Sequence, residues 1–534
     1  MNFRICSLNS LAARARRSPV TLVCRALVAA FGLYAARLSP EELIARFGIC
    51  DALVYPRVAF NVAAGRGSTY NLLTPTNGYH PLWMWLHVPV MFGAETISAR
   101  LRLAQWLWIA TAVGAAWAWS GLIRRWTRSD VAAGFAALMF GLFGWSLYVL
   151  YSGMETPLVL LGFAAACACA LRLRESPESA LRANLMRYAA AAALTFLARL
   201  DSIFLLAPTL AIAAPACFRA KRSAWLAACA IFCGLTLPYF LWNIAVFGHI
   251  MPVSGIVKTT DFNLSSTVET LSYWAERMAR LGLSATRLSL LAAGAAALAL
   301  LTLRALRRDF PAFARICGAC AVGAAAQYAY YLLRMREINV TWHLYPQALM
   351  AYFTAVGLLA LGEATLRRLI RQPSRAFAAS IALFAAFAML AGLATAGYHR
   401  AKQVRRPETA ADIEIGKWMR THLPPTARIA MHDSFVAAVF IPQHVVVDLN
   451  GLVENTEGAL LTRAEKRDEL VRRRGCDYWI EKERVAEPSV ALPEKPGGAK
   501  LVVIRARGKN APEFFQYAFI PLAPKKEDIL MKTR

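Results

Sequence analysis

No P-loop, no GxSxG, no HExxH and no paired CxxC with metal-ligand spacing occurs in the 534 residues. Those absences remove ATP-driven transport and membrane proteolysis by the routes that depend on them. Cysteine is no more helpful to a redox or zinc reading. The 11 cysteines are an odd number, and most stand singly inside apolar runs (Cys24, Cys167, Cys169, Cys229, Cys233). The one CxxC-like pair, Cys317 and Cys320, lies in an apolar helical pattern without a second His or Cys pair. It reads as small apolar packing, so no metal site is assigned. A small-residue cleavage site is also missing after the first apolar run, about 19–37. That run is read as a retained first span and not as a removed signal peptide. No internal repeat and no low-complexity tract beyond Ala/Leu-rich stretches is evident.

What is present is apolar. Hydrophobic residues make up 57% of the chain and the mean hydropathy is +0.41. Many runs reach the about 17 to 25 residues that cross a bilayer. After 19–37 they lie near 102–123, 130–151, 155–171, 188–217, 223–247, 284–303, 314–333, 344–362 and 376–397. Arg199 and Asp201 interrupt 188–217, which makes it a candidate hairpin of two shorter helices. The formal charge of +27 does not point to nucleic acid, because the basic residues form short Arg clusters between apolar runs.

Those clusters set a topology. The segment 80–97 is apolar and Trp-rich but broken by Pro81, His87 and Pro89, as a helix lying along a membrane surface would be. With 80–97 on the surface, the strongly basic loops all fall on one side. They are the N-terminus, Arg124/Arg125/Arg128, Arg172–Arg187, Arg219–Arg222, Arg304–Arg308 and Arg367–Arg375. The positive-inside rule makes that side cytoplasmic. About 11 spans result, with the N-terminus cytoplasmic and the C-terminus outside.

The densest polar and aromatic stretch then faces outward: residues 51–83, DALVYPRVAFNVAAGRGSTYNLLTPTNGYHPLW. Tyr55, Arg57 and Asn61 recur at helical spacing, and Asn77, Tyr79 and His80 follow. A connecting loop needs none of this chemistry, and the stretch is read as building an active site. Asp51 suits a base that takes an acceptor proton, or equally a solvated or capping acid at a membrane boundary. Glu155, in YSGMETPL, taken alone is a helix-start acid, which Thr156 and Pro157 suit. Arg199 and Asp201 sit where ionisable groups are costly, so they pair, line a cavity, or both. Lys258, His343 and Tyr345 suit a phosphate whose oxygen gains charge as it departs. Their plainer readings are a solvated loop lysine and an interfacial aromatic belt. All of these fall on the side opposite the basic loops.

From about 399 the composition becomes that of an ordinary globular mixture. The spacing predicts an amphipathic helix over 408–422 and short buried strands at 427–431, 444–449, 476–481 and 500–505. The expected organisation is a multi-span domain, 1–398, with a first outer loop at about 38–101, followed by a soluble outer α/β domain, 399–534.

The opening acid-and-aromatic stretch, TNGYHPLW, GMETPL, ARLDS, PYFLWNIAVFGHIMPVSGIVK and VVVDLNGLVEN together resemble the GT-C superfamily of integral-membrane glycosyltransferases. The nearest groups are protein mannosyltransferase-like and bacterial arabinosyl- or aminoarabinosyltransferase-like. The resemblance implies an α-helical polytopic fold, a polyprenyl-phosphate-linked sugar donor, and a lipid, polysaccharide or protein acceptor in the cell envelope. No cofactor is called for, and a divalent ion is left open. It places the catalytic acid at Asp51, lines a sugar-phosphate cavity with Glu155, Arg199 and Asp201, and sets Lys258 near the donor phosphate. It also has the C-terminal domain capping that cavity or receiving the acceptor. One departure stands out. Relatives often carry two adjacent acids, and here the first is Cys50. Two other classes stay open: a carrier or flippase for a lipid-linked or anionic solute, and a non-catalytic relative that binds glycolipid.

Overall fold

The computed structural model describes residues 18–92, 95–259, 268, 272, 285–335, 341–402, 406–485, 500–507 and 512–522. The basic N-terminal arginines, Arg4 to Arg17, lie outside them, as does most of 260–284. The chain is mainly helical, with a small sheet near its C-terminal end. Eight helices among the described residues are long and apolar enough to cross a membrane, so this is a multi-pass membrane protein. Three further expected spans differ in kind. Asp130–Gly141 has 12 residues, Glu178–Ala198 carries charge in its first half, and Ala285–Asp309 has 25 residues.

The first helix, α1 (Pro19–Arg37), leads into α2 (Pro40–Phe47). The start of α2 is specified locally. Ser39 caps it by accepting from the Glu42 amide at 3.1 Å, Pro40 opens it, and two glutamates occupy its first turn. A 3-10 turn, Cys50–Leu53, then delivers the chain into α3 (Val54–Ala63). The predicted helical spacing of Tyr55, Arg57 and Asn61 is therefore real. The 80–97 segment forms α4 (Pro81–Phe92), 12 residues with Pro89 inside. Such a helix is only about 18 Å long, short of a hydrocarbon core. The long helix α5 (Ile97–Thr127) follows, then α6 (Asp130–Gly141) and the short α7 (Trp145–Val149).

The 130–151 run thus breaks at Leu142–Gly144, where Gly144 takes a φ of +52°. Helix α8 (Thr156–Arg174) starts where GMETPL predicts, and α9 (Glu178–Ala198) ends at Arg199. A 3-10 turn, Leu200–Ser202, joins α9 to α10 (Ile203–Cys217). The interrupted 188–217 run is two helices, as expected from its charges. Helix α11 (Arg222–Phe247) leads to the six-residue α12 (Val253–Lys258), and α13 (Ala285–Asp309), α14 (Pro311–Arg334), α15 (Tyr345–Leu369) and α16 (Pro373–Lys402) complete the helical part. Its interior is aromatic. Trp119 is fully buried and stacks on Phe140 at 5.5 Å, with Phe163 and Phe353 against it.

The C-terminal part opens with α17 (Arg406–His422), followed by β1 (Arg428–Met431), α18 (Phe435–Val439), β2 (Val445–Asp448), α19 (Thr456–Arg463) and α20 (Arg467–Arg474). Strands β3 (Tyr478–Val485), β4 (Lys500–Arg507) and β5 (Pro512–Pro521) complete a five-stranded sheet of order β2-β1-β3-β5-β4. β1 is parallel to β2 and β3, while β5 runs antiparallel to β3 and β4. The four expected strands and the helix form. β5 is additional.

This part is welded to the first loop. Arg57, buried on α3, donates to the carbonyls of Tyr70 (2.9 Å), Ile441 (3.3 Å) and His444 (3.0 Å), and also to that of Ala438. Asn71 donates to Glu454 at 2.9 Å, and the Thr76 hydroxyl to the Glu454 carbonyl at 3.2 Å. A Cβ at Gly78 would lie 1.9 Å from the Leu452 carbonyl oxygen, so only glycine allows the two backbones to meet there.

Candidate active site

The turn Cys50–Leu53, the segment Gly78–His80, the start of α8, the end of α9 and the end of α12 converge on one cleft. It encloses about 460 Å³, part of it open to solvent. Among the sequence-predicted site residues, Asp51, Tyr55, Tyr79, His80, Glu155, Arg199, Lys258 and His343 line it. The roof comes from the C-terminal part: Phe435 from α18, and Leu452 and Val453 from the loop after β2.

Two pieces of local chemistry place these groups. Trp83, at the end of TNGYHPLW, donates its indole N–H to the Gly153 carbonyl at 2.9 Å. Gly153 adopts a φ of +91°, and a Cβ there would sit 2.9 Å from the Trp108 ring. Glycine is thus required for the turn that aims Glu155 at the cleft. The segment carrying Lys258 is braced by Asn77. Its carbonyl oxygen accepts from the Val253 amide at 2.9 Å, while its amide donates to Asn243 at 3.0 Å.

Glu155 is fully buried and makes no helix-cap bond. It accepts from the Tyr55 hydroxyl at 2.7 Å and from Arg199 at 2.6 Å, with His80 Nε2 at 3.7 Å. Burial pushes its carboxyl up, but His80, Arg199 and the Tyr55 hydroxyl outweigh burial and hold it below the usual range. The plain helix-start reading of Glu155 is therefore incomplete. Arg199, itself buried, donates through Nε to Asp201 at 2.8 Å and lies over the Tyr345 ring at 5.2 Å. Asp201 also accepts from Tyr345 (3.2 Å), Gln327 (3.3 Å) and Tyr331. Arg199 and Asp201 form an ion pair, of which Arg199 lines the cleft and Asp201 lies behind it.

Asp51 is different. It is half-buried, its Oδ2 lies 3.8 Å from Lys258 Nζ, and the Cys50 thiol donates to Oδ1 at 3.4 Å. Burial raises its carboxyl above the usual range; Lys258 and the thiol oppose the rise, while the charges of Asp433 and Glu155 add to it. Burial likewise lowers the pKa of His80, favouring the neutral imidazole. The buried Nδ1 atoms of His80 and His343 have no hydrogen-bond partner among the described residues. A neutral ring nitrogen of this kind is available for a hydroxyl or water.

Four of the sequence-predicted residues stand elsewhere. Arg57 points away from the cleft, and the backbone carbonyl of Tyr70 and three from the C-terminal part consume its donors. Asn77 is a brace behind the cleft wall. Asp201 and Tyr345 form the layer behind Arg199. Tyr79 reaches the lining, but its hydroxyl is shared with Ser68 at 2.5 Å. Phe435, Leu452 and Val453 were not foreseen as individual residues. Among the described residues no group of three His, Cys, Asp or Glu side chains is placed to hold a metal ion.

No protein-family model matches the chain, and no curated protein matches it in sequence. Solved structures do. ArnT from Cupriavidus metallidurans in the apo state is similar at a TM-score of 0.51 and 15% identity, over 92% of this chain and 97% of that one. The Archaeoglobus fulgidus oligosaccharyltransferase in complex with zinc and sulfate is similar at a TM-score of 0.50 and 12% identity, over 86% of this chain and 67% of that one. The chain therefore shares the fold of these two solved structures.

Proposed function

We propose that this chain is a membrane glycosyltransferase that moves a sugar from a polyprenyl-phosphate-linked donor to an envelope acceptor at the outer face of the cytoplasmic membrane. The observation that carries the reading is the loosely paired Asp51 and Lys258 facing a cleft in a GT-C fold. A carboxylate of raised pKa, within reach of an incoming group, suits a general base. In this scheme the acceptor oxygen bonds to the anomeric carbon while its proton passes to Asp51. The bond between that carbon and the phosphate oxygen breaks, and its electron pair leaves on the polyprenyl phosphate. Lys258 is the cation placed to offset the charge that grows there. Arg199, which the resemblance sets in the sugar-phosphate cavity, is spent on Glu155 and Asp201. Its role here is to hold the wall. The free Nδ1 of His80 would contact the sugar, against the wall that Glu155 and Tyr55 form.

Residues 1–398 would form the catalytic membrane domain and 399–534 an outer domain that roofs the cleft. The N-terminus would be cytoplasmic, as the basic loops require. The test is transfer of radiolabelled sugar from a panel of polyprenyl-phosphate sugars into membrane extract by wild type and Asp51→Asn. Incorporation by wild type that is lost in the variant is expected. Equal incorporation by both would take the base away from Asp51, and none by wild type with any donor would count against the transferase reading.

A further inference from the structure

Cys50 occupies the position where the resembled family often carries a first acid, and the structure packs against that same turn a helix of the C-terminal part that an acid, Asp433, precedes by two residues. Helix α18 packs directly on the Cys50–Leu53 turn, and its first residue, Phe435, lines the cleft beside Asp51. The residues just before it are fixed. Ser434 shares a 2.9 Å hydrogen bond with the buried Tyr70 hydroxyl. Asp433 adopts a left-handed φ of +47°, which few non-glycine residues do without a reason, and it often marks functional sites. Its Oδ1 is held by the Asn450 amide at 2.8 Å, and Asn450 is itself anchored by its backbone N–H on Asp448 at 3.1 Å. Asp433 thus sits at the carboxyl end of parallel strand β1, beside the loop that follows its parallel neighbour β2. That edge is where open α/β sheets characteristically bind ligands. A second cleft, lined by His432, Asp433, Glu481 and Lys482, opens beside it.

We propose that Asp433 is the second carboxylate of this active site, delivered by the C-terminal domain where the first loop has Cys50, and that it orients the acceptor's nucleophilic hydroxyl against Asp51. The inference rests on the transferase reading for its role, but not for its placement. Its charge acts on both residues of the turn, raising the Cys50 thiol and the Asp51 carboxyl alike. No cation pairs with Asp433 among the described residues, and a carboxylate that is fixed but unneutralised is suited to accept a hydrogen bond from substrate.

The placement is tested without any sugar. The full-length protein in detergent is alkylated with N-ethylmaleimide across the neutral-to-alkaline range, and modification of Cys50 is followed by peptide mass spectrometry. Thiolate is the reacting form. Removing the nearby charge in Asp433→Asn should speed Cys50 modification at a given pH, because a lower thiol pKa leaves more of it as thiolate. Asp433→Glu should keep the slow wild-type rate. An unchanged rate in Asp433→Asn overturns the placement. The groups that face this thiol and its neighbour are Asp51, Asp433, Lys258 and Glu155, and all but Asp433 are retained in the variant.

The role is tested by transfer. Asp433→Asn should lower kcat/KM by about tenfold or more and move the acid limb of its pH profile to lower pH. Asp433→Glu should retain most activity, and adding Cys50→Asp to Asp433→Asn should restore part of it. Unaltered rates and pH limb in Asp433→Asn overturn the role. A wild type inactive toward every donor would count against the transferase reading, leaving the alkylation result to decide whether Asp433 stands beside the turn.

Discussion

Two acid–base groups share one cleft and are built on opposite lines. Around Glu155 every strong donor is used: Tyr55 and Arg199 hold the carboxylate, Arg199 reaches on to Asp201, and Tyr345 and Gln327 close the layer behind. Around Asp51 the contacts are long and few, with Lys258 at 3.8 Å and a thiol at 3.4 Å. A saturated buried network has no capacity left for a substrate, whereas a loose, half-exposed pair does. On the proposed reading, the first is architecture and the second chemistry.

The sharpest way to break the comparison is to exchange the outcomes. Asp51→Asn should remove transfer by about 10²–10⁴ while detergent-purified protein keeps the wild-type melting temperature. A large fall in that temperature would make Asp51 structural. Arg199→Met should do the reverse and cost about 3–5 kcal/mol of stability, because two buried carboxylates lose their cation. Thermal unfolding checks it, and a variant as stable as wild type would show that the network is not the scaffold. Lys258→Met should leave stability within about 0.5 kcal/mol, as expected for a partly exposed pair, and lower kcat about tenfold or more. A change confined to KM would place Lys258 in donor binding alone.

A separate effect is one of pH, and the C-terminal part supplies the counterexample to Glu155. Asp448 is also fully buried, but it is held by the backbone amides of Asn450 and Leu452 with the Glu454 carboxyl beside it. Burial pushes it from 3.8 up to about 8. The folded state then binds a proton that the unfolded chain has released, so stability present at low pH is lost as pH rises from about 4 to about 8. Urea titrations across that range should show the decline, and Asp448→Asn should flatten it. Glu155, held below the usual range, contributes in the opposite sense: its stability is present above the ordinary glutamate range and lost as pH falls through the depressed value.

Much of this was legible in the sequence, for identifiable reasons. Apolar run lengths marked the helices, and the Arg199/Asp201 interruption marked the break between α9 and α10. The topology drawn from arginines put Asp51, His80, Glu155 and Lys258 on one side, and these four do meet in the cleft. Arg57 was misplaced because its partners lie 381 to 387 residues away along the chain, apart from Tyr70. Nothing local distinguishes an arginine that binds phosphate from one that binds carbonyls. Asn77 failed in the same way. Strand β5, PEFFQYAFIP, has no clean alternation and is bounded by prolines, so its periodicity gave no strand signal. Asp433 carried a weak sign, an acid directly after a predicted parallel strand, but its φ and its neighbours belong to tertiary structure.

The Gly78–Leu452 contact has a consequence for how the protein is made. The floor of the cleft is drawn from residues 51–80 and its roof from 435–453, so the two halves are separated by nearly all of the helical part. Translation delivers the roof after the floor and the helical part. A ribosome must complete most of the chain before the cleft can close, and each earlier intermediate exposes the floor. A product truncated before residue 435 would therefore insert its helices yet leave the cleft without its roof.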